Sequence, residues 1–153
     1  MATQIEIVNN HNDIAIRESL IETLTAKVLV DEDLAAREVY IVFVDDAYLR
    51  QLHRNYLDDD TVTDVMTFNL SDDEAVEGEI YISLDRAKAH AAEFSVAPGQ
   101  EVARLVIHGL LHLNGYDDKT AAEQKKMRQQ EEHYLNKYED LTGDILNPEE
   151  EEI

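Results

Sequence analysis

At 153 residues, 44% of them hydrophobic, the chain holds enough apolar material for one domain with a substantial core and is too short for two ordinary ones. Its 13 lysines and arginines against 34 aspartates and glutamates give a formal charge of −21, which argues against nonspecific nucleic-acid binding by phosphate neutralisation and leaves any RNA contact to a local patch. There is no cysteine, so disulfides and thiolate ligands are excluded, and histidine and carboxylate remain as metal-binding side chains. No run is long enough to span a bilayer and the N-terminus lacks the basic and apolar regions of a signal peptide, so a soluble, cytoplasmic protein is expected.

Gln4 to Val8 alternate apolar and polar side chains and predict an edge-like strand. Ile14, Arg17, Leu20, Ile21, Leu24 and Val28 then follow a helical repeat. The continuous β-rich run Val39 to Val44 predicts a central strand covered on both faces. Asp45-Asp46 can cap a short helix with Tyr48, Leu49, Leu52 and Tyr56 as its buried stripe, ended by a loop at Asp58-Asp59-Asp60. Thr63 to Asn69 and Glu79 to Ser83 read as an antiparallel pair of strands around a turn at Ser71 to Glu74, which makes the sheet mixed. Leu84, Ala87, Ala91 and Phe94 mark a helix that closes near Pro98-Gly99. Val102, Leu105, Val106, Leu110 and Leu113 begin another, apolar on nearly every side and therefore buried. Thr120-Ala121-Ala122-Glu123 is a capping box that opens a last helix with Met127, Tyr134, Leu135, Tyr138 and Leu141 on its stripe. The expectation is a single compact α/β domain over residues 1–147, a small mixed sheet packed with helices, and an acidic tail at 148–153.

Inside the buried helix stand His108 and His112, one turn apart on one face. Gly115 follows where a left-handed residue would end the helix and let the chain bring Asp118 back towards the two imidazoles. Three ligands with one open position is the pattern of a catalytic metal site. The spacing follows the frame of the metzincin proteases, but Gly109 occupies the place of their general-base glutamate, so peptide hydrolysis by that route is disfavoured. Two core histidines with ordinary hydrogen-bond partners, a glycine cap and acidic loop residues are the plainer account of the same letters.

The segment His108 to Asp118 resembles the hallmark of the YbeY family, bacterial endoribonucleases and rRNA maturation factors. Two further segments are similar to that family: Asn55-Tyr56 followed by Asp60 and Thr63 to Phe68, and Gly78 to Ser83. The resemblance implies a compact α/β domain, one zinc ion on the hallmark segment, and cleavage of single-stranded RNA in rRNA maturation and ribosome quality control. It implies rRNA or pre-ribosomal particles and ribosomal proteins as partners, and neither membrane nor DNA. Asp118 stands where the family has a third histidine, Leu57 where it has an arginine, and Val62 where it has a proline. A carboxylate in place of imidazole lowers the charge of the site by one unit, and losing the arginine removes a cation that could hold a phosphate.

The leading mechanism is metal-assisted phosphodiester hydrolysis with His108, His112 and Asp118 as ligands. Asp117 and Asp64 are candidate bases by motif, although each can instead support a ligand or a strand end. A noncatalytic ribosome-assembly factor that keeps the fold is the first alternative, and a non-haem iron protein, which also uses two histidines and a carboxylate, is the second. His11, His53, His90 and His133 are expected on the solvated surface, and tyrosines at helical spacing are expected in the core rather than stacked on bases. Arg50 and Arg54, one turn apart, are the cations best placed for RNA.

Overall fold

The computed structural model describes residues 3–57, 63–71 and 75–146, so the expected 58–60 loop, the 72–74 turn and the 148–153 tail lie outside the described residues. The chain runs β1 (Gln4–Asn9), α1 (Glu18–Asp31), β2 (Ala36–Val44), α2 (Asp46–Leu57), β3 (Val65–Asn69), β4 (Val76–Ser83), α3 (Leu84–Phe94), α4 (Pro98–Leu113), α5 (Ala121–Lys137) and α6 (Glu139–Thr142). The sheet has the order β1-β2-β4-β3. β1 pairs parallel with β2 and β2 with β4, in a register that sets Ile7 beside Ile41 and Ile41 beside Ile80. β3 pairs antiparallel with β4 and places Thr67 against Ile80, so the sheet is mixed as the patterning predicts.

One face of the sheet carries the main core. Val39, Ile41 and Phe43 of β2 with Ile80 and Ile82 of β4 are fully buried there, beneath Ile21, Leu24 and Val28 of α1 and the apolar residues of α4. α4 is central, with Val102, Leu105, Val106, Ile107, Leu110 and Leu111 all at 1% exposure or less. It lies against β4 at two glycines: a Cβ on Gly109 would stand 2.7 Å from Ile80, and one on Gly78 would stand 2.6 Å from Leu113. Side chains at these positions would push helix and strand apart.

The other face is only partly covered, and α2 lies there over a small cluster of Val44, Leu49 and Met66. The buried stripe expected of α2 is therefore wrong at both tyrosines: Tyr48 is 50% exposed and Tyr56 66%. With so narrow a patch to cover, Leu49 fills it and the tyrosines sit at its margins, Tyr48 stacked on Tyr81 and Tyr56 set edge-on to Phe68. Phe94, expected on the stripe of α3, is also exposed because it ends that helix, where Ser95 turns into the left-handed region. α1 begins at Glu18 rather than at Ile14, since the Arg17 amide is drawn to the Ile145 carbonyl at 2.8 Å. The capping box at Thr120 forms as expected, with both of its reciprocal bonds.

Candidate metal centre

α4 is buried on all sides but one. Glu101, Arg104, His108 and His112 follow one another at helical spacing and form a single polar stripe along it. After Leu113 the helix closes through Gly115, at φ +92°, with the Gly115 amide on the His112 carbonyl at 3.0 Å and the Tyr116 amide on the Leu111 carbonyl at 3.0 Å. This pair of bonds is a Schellman closure. It reverses the chain so that Asp118 returns to the histidines, and Gln124 then holds the Asp118 carbonyl at 3.0 Å.

Three donor atoms meet there. Nε2 of His112 lies 3.0 Å from Nε2 of His108, and Oδ2 of Asp118 lies 3.4 Å from each of them. The centre of that triangle is about 1.9 Å from every corner, close to zinc–nitrogen and zinc–oxygen bond lengths of about 2.0–2.2 Å. The proton positions follow from the far side of each ring. Nδ1 of His112 lies 2.9 Å from the Tyr116 carbonyl, which can only accept, so Nδ1 carries the hydrogen. Nδ1 of His108 lies 2.7 Å from the Glu131 carboxylate, which calls for the same tautomer. Each Nε2 is therefore the ring atom left facing the other ring and a carboxylate oxygen, a set of donors that one cation can bridge. Two imidazoles and one carboxylate fit a borderline divalent ion such as zinc, so the donor set can hold a metal.

The centre opens into a cleft of about 600 Å³ walled by β3, the end of α2 and α4. Asp64, Thr67 and Asn69 supply polar groups to it, and His53 and Leu57 line it from α2. No lysine or arginine lines it among the described residues. Of the candidate bases, Asp64 is in the cleft wall, while Asp117 is exposed and does not line it. Arg50 and Arg54 lie along a separate hollow on α2 with Ala47 and Gln51.

Of the four histidines expected on the solvated surface, His11 is withdrawn from it and His53 and His90 are half-buried. The His11 side chain is 6% exposed, bonds Asp85 at 2.9 Å, and receives the Asp13 and Ile14 amides on Nδ1. His53 and His90 each bury Nδ1 without a hydrogen-bond partner among the described residues, and His90 sits 3.6 Å from both Asp64 and Glu101. His133 is exposed, as expected. The sequence reading also passes over Glu131, which is 2% exposed although it stands in the polar run Gln129 to Glu132. Its distance from the Thr120 cap puts it on the inner face of α5, above α4, and that register is the only signal in the letters.

A mixed α/β sheet backed by a helix whose two histidines converge with a loop carboxylate at an open cleft is a single-domain α/β architecture with one candidate metal centre. The family model for endoribonuclease YbeY matches residues 4–139. A Chlorobium limicola protein named endoribonuclease YbeY is 38% identical over 128 residues, covering 84% of this chain and 89% of that protein. A Salinibacter ruber protein of the same name is 35% identical over 141 residues, covering 86% and 90%. The solution structure of a Thermotoga maritima protein superposes with a TM-score of 0.61 at 26% identity, over 95% of this chain and 98% of that one. The chain belongs to the YbeY endoribonuclease family. It is accordingly an enzyme that acts on RNA.

Proposed function

We propose that the protein is a zinc-dependent endoribonuclease that cuts single-stranded RNA, with His108, His112 and Asp118 as the ligands of one ion. The observation that carries this is the convergence of three lone-pair donors at the mouth of a cleft. When bound, the ion supplies Lewis-acid polarisation of a phosphoryl oxygen and lowers the pKa of water. The chain's own part is to hold the ligand rings in one tautomer through Tyr116 and Glu131 and to line the approach with the polar groups of β3. Asp64, in the cleft wall, is better placed than Asp117 to take a proton from water or a ribose hydroxyl.

Family membership supports rRNA and pre-ribosomal particles as the physiological substrate and a cytoplasmic setting, and no helix among the described residues is long and apolar enough to cross a membrane. A noncatalytic assembly role is the second reading, favoured by the cleft without lysine or arginine and by Leu57 at its edge. Metal analysis of the purified protein with cleavage of a short single-stranded RNA, at fixed salt and with zinc added or chelated, separates the two. Zinc-dependent cutting is the expected result; stoichiometric zinc without cutting supports the assembly role, and no metal uptake overturns the site.

A further inference from the structure

The metal-facing stripe of α4 continues into a buried ion network that the reaction does not itself require. Glu131 on α5 spends one carboxylate oxygen on His108 at 2.7 Å and the other on Arg104 at 3.2 Å. Arg104 in turn grips both oxygens of Glu101, its Nε at 2.9 Å. Both glutamates are almost fully buried, at 2% and 4% exposure. Burying two carboxylates is expensive, and one arginine answers only one of the two charges. The guanidinium is pushed above its usual range by its bonds to Glu101, which outweigh the cost of its burial, so it stays a cation and only ever donates.

We infer that Glu131, oriented by Arg104 and Glu101, is a positioning residue that fixes the tautomer of His108 and so keeps its Nε2 lone pair aimed at the metal. The inference rests on the metal reading above, but its core is a statement about the metal-free protein. Arg104 needs an oxygen from its partner on α5. A carboxylate can offer oxygens on both sides, and therefore accepts from Arg104 and from His108 Nδ1 together. A carboxylate accepting from the far side of a ligand imidazole fixes the ring for a cation beyond it.

This yields an outcome that a merely structural ion pair would not give. In Glu131→Gln the side chain keeps its shape but has one oxygen and one NH2. Arg104 claims the oxygen, so the NH2 turns to His108, whose Nδ1 must now accept. The hydrogen moves to Nε2, the atom that faces the metal. In Glu131→Gln with Arg104→Gln, the residue at 104 can accept as well as donate, the amide at 131 is free to turn, and Nδ1–H returns.

The test reads the tautomer of His108 in metal-free protein by long-range 15N–1H correlation at about pH 8, above the imidazole range. Zinc affinity is measured in parallel by competition with a chromophoric chelator. The expected results are Nδ1–H in wild type, Nε2–H in Glu131→Gln with zinc bound about 10- to 100-fold more weakly, and recovery of both in the double variant. Unchanged tautomer and zinc affinity within about twofold in Glu131→Gln, below the about 10- to 100-fold loss such an outer partner carries, would overturn the inference. If Glu131→Gln does not fold, Glu131→Asp takes its place: it keeps the carboxylate one methylene further back, and undiminished zinc affinity in it overturns the inference equally. A wild type that takes up no zinc but shows Nδ1–H switched by Glu131→Gln leaves the positioning role standing and removes the metal reading.

Discussion

Gly109→Ala measures how closely α4 is held to β4, and with it how the two histidines are placed. On an ordinary helix the exchange would stabilise the protein by about 1 kcal/mol, since alanine is the better helix former. Here the new Cβ would meet Ile80 Cγ2 at 2.7 Å and Cδ1 at 2.9 Å. Ile80 is fully buried and branched at Cβ, so it cannot swing aside without leaving its rotamer. Overpacking of this kind costs about 1–3 kcal/mol. Set against the propensity gain, the net expectation is a loss of up to about 2 kcal/mol, or up to roughly 8 °C in the melting temperature of a domain this size. Urea denaturation of the metal-free protein measures it, and the double variant with Ile80→Ala should show coupling of about the same size as the clash. A Gly109→Ala protein more stable than wild type by the full helix-propensity gain would refute the close approach. The same geometry predicts that Gly109→Glu cannot supply a metzincin-like base, because the side chain would point into β4 and not into the cleft.

His112→Ala should abolish metal retention with little loss of metal-free stability, because its Nδ1 serves only a backbone carbonyl near the surface; His108→Ala should also cost about 1–3 kcal/mol, since it strips a partner from buried Glu131. Equal stability losses in the two would count against that difference. Asp118→His should raise the charge of the site by one unit, tighten zinc binding and increase cleavage of a short single-stranded RNA, and Leu57→Arg should add to it by giving the cleft a phosphate-holding cation; a wild type already as fast as the double variant contradicts both. Glu32 is held below the usual glutamate range, because bonds from Tyr134, Gln130 and Asn114 outweigh the desolvation that pushes it up. A depressed carboxylate stabilises the fold fully above its unfolded pKa of about 4.3, and that contribution is lost as pH falls through the lower folded value. Glu32→Gln should therefore flatten the fall in stability on the acid side of pH 4.3, by denaturation across a pH series, and an unchanged slope would remove Glu32 as its cause.

α4 was legible because it is apolar on nearly every side and α5 because its capped start carries its pattern whole, whereas β2, read as covered on both faces, is buried on one, with Val39, Ile41 and Phe43 inside and Tyr40 and Val42 half-buried. The convergence of His108, His112 and Asp118 was legible because its spacing is local, two histidines one turn apart and a glycine that reverses the chain. What failed was of two kinds. Tyr48 and Tyr56 follow a helical stripe, yet the face they would cover is too narrow, and that width is set by the sheet and not by α2. Glu131 and His11 look like solvated residues because the partners that hold them, His108 and Asp85, lie 23 and 74 positions away. Pairings of that separation leave no period to read.

No lysine or arginine among the described residues lines the cleft, so metal and substrate would depend on each other there. With a formal charge of −21 on the chain and Asp64 and Asp118 in the cleft wall, a dication at the histidines would be the principal positive charge an incoming phosphodiester meets there. Binding free energies at two coupled sites are reciprocal. RNA that gained affinity from an ion at this centre would tighten the ion by the same factor, so on the zinc reading the metal would be held most firmly with RNA engaged and stripped most easily between turnovers. Scarcity of the metal would thus be felt first as loss of substrate capture, and abundant RNA would protect the loaded form against chelation.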